Sequence, residues 1–255
     1  MLIDTHAHYD DAAFDEDRKQ LISFLKEENI IAIDAGASMK STAKAVELAL
    51  EYDNIYALAG VHPDDVADLS DDDMQQLIEY TGNSKVVGIG EIGLDYHWDD
   101  VPRDVQKKWF IKQLDIAKQT RMPVCIHSRD AAQDTLDIIR NYSDGLSGAV
   151  MHCYSYGVDL AKEYLKLGFF FGIGGVVTFK NGKKMKEVVE FLPIESIVLE
   201  TDCPYLAPEP NRGRRNSSLY LNYVADAIAQ IKGISAEQVI EITEQNARRL
   251  YRKIK

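Results

Sequence analysis

Eight short apolar runs, at positions 2–5, 30–35, 55–61, 86–91, 124–127, 149–152, 169–173 and 197–201, are separated throughout by segments of helical periodicity. Met74, Leu77 and Ile78 fall at i, i+3, i+4, while Phe110, Leu114 and Ala117 fall at i, i+4, i+7. Met185, Val188, Val189 and Leu192 repeat the pattern. Runs this apolar have no polar face, so the sheet they build must be covered on both sides, as parallel strands joined by helices are. Eight such units predict closure into one (β/α)8 TIM barrel over residues 1–255, an α/β fold with its chemistry at the C-terminal strand ends. The rival, an open doubly wound sheet, calls for a glycine-rich turn after the first strand, and Asp4 to Asp10 contains no glycine. Gly168 stands where a helix C′ glycine would, and Ser235 with Gln238 opens a last helix running toward Leu250 with a capping box.

Closure would bring scattered polar residues to one mouth. His6 and His8 end the first run and share a face, with Asp4 expected one layer below. His62 ends the third, His127 the fifth and His152 the sixth; Glu91 and Asp202 end the fourth and eighth. An isolated His-x-His means little, but five of six histidines at strand ends beside two carboxylates form a metal-ligand pattern. Four imidazoles and two carboxylates exceed the needs of one tetrahedral ion, so two divalent cations sharing a carboxylate are expected. Glu91 is the expected bridge; His6, His8 and Asp202 would hold one ion, His127 and His152 the other. Asp202 is the candidate general base. His62 either contacts phosphate, orients a ligand or is a strand-end histidine with a satisfied hydrogen bond, and Arg129 is assigned to a charge-assisted phosphate contact. Asp4 and Glu200 either orient ligands from below or form a buried polar pair, and His97, in the loop after the fourth strand, is expected to bind no metal. Nitrogen-rich ligation favours zinc, manganese, cobalt or iron over magnesium.

A net charge of −12 argues against bulk electrostatic coating of duplex nucleic acid. The acidic clusters at 10–17, 64–73 and 99–104 read as solvated loops and helix starts. Lys180, Lys183, Lys184, Arg212, Arg214 and Arg215 occupy the loops after strands seven and eight, the usual phosphate-binding edge of a barrel. Tyr154 and Tyr205 are candidates for stacking the bases of a single strand. Three cysteines without a Cys-x-x-Cys pair fit packing in a reduced compartment. No stretch of 18 apolar residues predicts a membrane span, and a removable leader would cost the motif that begins at Asp4. A cytoplasmic monomer without an obligate protein partner is expected.

Asp-Thr-His-Ala-His at 4–8, Gly-Val-His-Pro at 60–63, Gly-Glu-Ile-Gly-Leu-Asp-Tyr at 90–96, His-Ser-Arg-Asp-Ala at 127–131, His-Cys-Tyr at 152–154 and Glu-Thr-Asp-Cys-Pro-Tyr-Leu-Ala-Pro at 200–208 together resemble the TatD family of metal-dependent deoxyribonucleases, within the amidohydrolase-like barrel superfamily. The resemblance runs from the first strand to the last. It implies metal ligation by His6, His8, Glu91, His127, His152 and Asp202, and 3'-5' exonuclease activity on single-stranded DNA ends. It also implies magnesium or manganese as the working ion, with zinc as a bound species. The same superfamily offers an alternative, deacylation of D-aminoacyl-tRNA or hydrolysis of a small ester or amide. Intact residues at all six ligand positions oppose a catalytically silent binding barrel. Where family members commonly carry Arg-Asn-x-Pro, this chain reads Arg215-Asn216-Ser217-Ser218, which marks the loop after the eighth strand as its point of departure.

Overall fold

The computed structural model of the protein describes residues 1–98 and 100–255; position 99, at the head of the acidic stretch 99–104, lies outside the described residues. The apolar runs form eight strands, β1 (Leu2–Ala7), β2 (Ile30–Ala35), β3 (Ile55–Ala59), β4 (Val86–Asp95), β5 (Val124–Arg129), β6 (Ala149–Met151), β7 (Phe170–Ile173) and β8 (Ile197–Leu199). They pair in parallel and in chain order. Helices α1 (Arg18–Glu27), α2 (Met39–Glu51), α3 (Asp71–Thr81), α4 (Arg103–Thr120), α5 (Ala132–Tyr142), α6 (Val158–Lys166) and α7 (Lys183–Phe191) fill the successive crossovers, and α8 (Leu221–Lys232) and α9 (Ala236–Leu250) follow β8. Gly168 takes the left-handed φ of 77° just past α6, and Ser235 with Gln238 makes the capping box of α9.

The barrel is nearly closed by backbone bonds beyond β8. The Asp202 N–H donates to the His6 carbonyl at 2.9 Å and the His8 N–H to the Cys203 carbonyl at 2.8 Å. Asp4 reinforces this seam: its buried carboxylate accepts from the Thr201 N–H (2.9 Å), the Thr201 hydroxyl (2.6 Å) and the Ser218 hydroxyl (2.6 Å). Burial, opposed by those bonds, raises the Asp4 carboxyl to about 7. Two apolar layers complete the fold. Ile3, Ile33, Leu58, Val150 and Val198 pack inside the sheet against Tyr251 and Leu250 at the end of the chain, while the larger cluster lies between sheet and helices.

The departures from the expected strands have local causes. β4 runs on to Asp95 because Gly93, a residue that weakens the strand signal in sequence, lets the chain pass so close to β5 that a Cβ there would lie 1.9 Å from the His127 carbonyl oxygen. β6 and β8 stop at Met151 and Leu199, and Cys153 and Asp202 then turn the chain out of the ladder with φ of 42° and 57°. Beside a register shift between Asp4 and Ala7, the Asp4 carboxylate accepts from the His6 N–H at 3.3 Å and from Thr201 and Ser218 across the seam, and it makes no hydrogen bond to a histidine ring. Ser218→Ala removes one of the two hydroxyls that donate to Asp4 Oδ2, and it should lower stability by about 1–3 kcal/mol, read as a lower midpoint of urea unfolding.

Candidate metal centre

Glu91, on β4 and 3% exposed, stands between two groups of imidazoles. Its Oε2 lies 3.4 Å from His6 Nε2 and 3.9 Å from His8 Nε2. Its Oε1 lies 2.8 Å from His127 Nδ1, 3.6 Å from His152 Nε2 and 3.9 Å from His62 Nε2. Asp202, swung inward by its turn, places Oδ1 3.4 Å from His8 Nε2 and 3.7 Å from His152 Nε2. His6 Nε2 and His8 Nε2 are 3.1 Å apart. Donor atoms held about 3.3 Å apart outline the edges of a tetrahedron with bonds of about 2.0–2.1 Å, so the spacing fits a cation. His6, His8 and Asp202 form one group that could hold an ion, and Glu91, His127 and His152 another.

The nitrogens that face away from these groups are also engaged. His8 Nδ1 lies 3.0 Å from the Ala35 carbonyl, His127 Nε2 2.9 Å from Asp95, His152 Nδ1 3.1 Å from Glu200 and His6 Nδ1 3.3 Å from the Cys125 sulfur. An acceptor behind an imidazole fixes its proton there and leaves the opposite lone pair free for a metal, the arrangement common to protein metal sites. His62 differs: its Nδ1 accepts from the Asp64 N–H at 3.2 Å, so its Nε2 carries the proton toward the mouth.

The charges follow from this packing. Burial opposes ionisation of Glu91, yet His152, His6 and His62 around it, with the His127 hydrogen bond, hold it well below the usual carboxylate range. Burial also opposes charge on His8, but Asp202 and Glu91 outweigh it and raise His8 to about 10. Asp95 and Glu91 likewise raise His127 to about 10, and Glu200 and Glu91 raise His152 to about 9, both against burial. Burial, aided by the charge of His127, lowers His62 to about 4, and burial with the charge of His152 lowers His6. Burial opposes charge on Asp202, but the His8 hydrogen bond and the charges of His152, His8 and His6 lower its pKa, leaving an ionised carboxylate.

His8, His62, Glu91, Asp95, His127, His152 and Asp202 line a cleft of about 920 Å3 at the barrel mouth, with His6 buried behind them. His6, His8, Glu91, His127, His152 and Asp202 converge as anticipated, with His62 beside them. Glu200 orients His152, whereas Asp4 touches no imidazole ring and serves the seam. His97 pairs with Asp130 at 3.2 Å. Arg129 lines the cleft, where it is the only Lys or Arg among the described residues. Arg212 and Arg214 do not line it; the Arg212 guanidinium lies over the Phe179 ring at 4.3 Å, and Arg215 is tied to Asp17 and the Ala13 carbonyl. The rim is acidic instead, with Asp10, Asp11, Asp64 and Asp65. Tyr154 is 3% exposed, its ring edge-on to Phe171 and its hydroxyl bonded to the Gly157 carbonyl, so it offers no platform in the cleft; Tyr205 is 55% exposed there. Two participants escape a reading of strand ends. Asp95 sits two alternations beyond Glu91 on a strand longer than expected, and Trp98, 52% exposed on the cleft lip, lies in a loop with no periodic signal.

A family model described as TatD related DNase matches residues 3–252. The chain is 42% identical over 253 residues to the uncharacterised metal-dependent hydrolase YabD of Bacillus subtilis (strain 168), with 99% of each protein covered. It is 32% identical over 247 residues to the 3'-5' ssDNA/RNA exonuclease TatD of Cronobacter sakazakii, with 94% of each covered. Its structure is similar to that of YJJV, a TatD homologue from Escherichia coli K12, at a TM-score of 0.92 and 28% identity over 98% of both chains.

Two measurements probe the centre. Metal-free His8, His127 and His152 hold protons at pH 7, and a metal must displace them. Titration calorimetry in buffers of different ionisation enthalpy should show proton release at pH 7 that fades as pH rises toward 10, with apparent affinity rising over the same range. Gly172→Ala puts a Cβ 2.0 Å from the Glu200 carboxylate, driving it off His152; metal affinity should fall about 10–100-fold in a competition titration with a chromophoric chelator.

Proposed function

Because this chain belongs to the TatD-related DNase family of metal-dependent hydrolases, we propose that it removes nucleotides from single-stranded DNA ends in the 3'-5' direction, with two divalent cations held by His6, His8 and Asp202 and by Glu91, His127 and His152. The observation that carries this reading is the division of Glu91, whose two oxygens face different pairs of imidazoles. Magnesium or manganese is the proposed working ion, and zinc is compatible with the nitrogen-rich donor set. Such cations, when bound, supply Lewis acidity that activates water and offsets the charge of a phosphodiester.

The chain's own groups divide the remaining work. Asp202 is ionised and partly exposed at the cleft, so its carboxylate can take the proton of the attacking water. His62 is neutral at pH 7 and directs an N–H into the mouth, a hydrogen-bond donor for a phosphate oxygen. Arg129 supplies the one guanidinium of the cleft wall among the described residues and pairs with a non-bridging oxygen. Trp98 and Tyr205 stand exposed on the lips, placed to stack unpaired bases. The acidic rim repels a rigid duplex that would lay many phosphates across it, while a single strand can enter end-on. The similarity to the Cronobacter protein, named as an exonuclease of single-stranded DNA and RNA, supports the same direction.

The test is a substrate panel with metal-stripped and reconstituted enzyme. Mononucleotide release from labelled single strands should exceed that from duplex, vanish with chelator and fall by about 100-fold or more in Glu91→Ala and Asp202→Ala. Arg129→Ala should weaken binding of the strand, seen as a higher KM. Undiminished release in the two carboxylate variants overturns the reading, as does cleavage of D-aminoacyl-tRNA by an enzyme that leaves DNA intact.

A further inference from the structure

A second cavity, of about 180 Å3, opens beside the metal cleft between the ends of β6, β7 and β8 and the start of α7, and no role described so far uses it. Cys153, Ser155, Asp202 and Leu206 line both spaces, so the two communicate beside the candidate general base. Gly172 on β7 and Gly174 just beyond it line the cavity and bring no side chains into it. Tyr154, Val176 and Met185 form apolar walls, and Asn181 and Lys184 stand exposed at the rim.

On the nuclease reading, we propose that this pocket receives the base of the nucleotide being released and favours a pyrimidine over a purine. A phosphate at the metal centre puts the attached sugar and base within reach of the adjoining pocket, and apolar walls bury the faces of a planar ring. The volume sets the size. An apolar protein cavity of about 150 Å3 is known to hold benzene, so about 180 Å3 suits one six-membered ring with its exocyclic groups and crowds a fused pair. Met185 brings a polarisable sulfur to the ring, and the Asn181 amide offers both donors and an acceptor to a base edge. Tyr154, withdrawn from the cleft, thereby meets the base as a pocket wall.

Two experiments with metal-loaded full-length protein test this. The first compares kcat/KM for single strands ending in thymidine, in deoxyadenosine and in an abasic residue. Wild type should favour thymidine over the abasic end by about tenfold and over deoxyadenosine by a smaller factor. Val176→Phe, which fills the pocket, should erase most of the preference over the abasic end, and the exposed-site variant Asn181→Ala should lower it in the same direction without risk to folding. An unchanged preference in both variants overturns the proposal. The second reads thymidine binding directly by saturation-transfer NMR, with signals expected in wild type and lost in Val176→Phe. Thymidine that binds both proteins alike, or neither, overturns the pocket whatever the activity. If wild type cleaves no strand, the nuclease reading fails by itself, and loss of thymidine binding in Val176→Phe still sustains a base site.

Discussion

A buried carboxylate facing five imidazoles is the constraint on which the mouth of this barrel depends. Removed from water, the Glu91 charge needs opposite charge or hydrogen-bond donors close by, and His8, His127 and His152, whose pKa values are raised, stand around it with His6 and the neutral His62. The imidazoles in turn are held from behind, by Asp95, Glu200, the Ala35 carbonyl and the Cys125 sulfur. No member can be moved without stranding another. Such mutual dependence gives the site its rigidity before any substrate arrives.

The fold exists to make that meeting happen. The participants come from β1, β4 and β5 and from the turns after β1, β3, β6 and β8, and only a sheet curled into a ring brings all of them to one rim. Their precision owes as much to irregularities as to regular strands. Left-handed turns at Cys153 and Asp202 re-aim the chain where the ladder stops, and register shifts in β1 and β4 fall next to His6 and Glu91. The absence of a side chain at Gly172 leaves the room in which Glu200 reaches His152.

Much of this was legible in the order of residues, and the limits are physical. Alternation of apolar runs with helical segments announces a covered parallel sheet, and six histidines and carboxylates placed at strand ends announce where it closes, because both signals are periodic or positional. Asp4 leaves two readings open, and its partners on the far side of the seam, Thr201 and Ser218, lie about two hundred positions away, where no local period can reveal them. Tyr154 and Arg212 mislead because type does not reveal direction. One is packed inward against Phe171, and the other lies over Phe179 and away from the cleft. The loop at Arg215 to Ser218, expected to set this chain apart, is bound into the framework: Asn216 ties the Thr201 and Tyr205 carbonyls, and Ser218 meets Asp4 and Tyr9.

The seam itself has a consequence. His6 and His8 lie on one side of the join between the first and last strands and Asp202 on the other, so an ion held by those three would clasp the two extremities of the ring like a buckle. Its removal would then slacken the hoop at the place where chain connectivity contributes least, and resistance to heat would depend on free metal concentration through ordinary mass action.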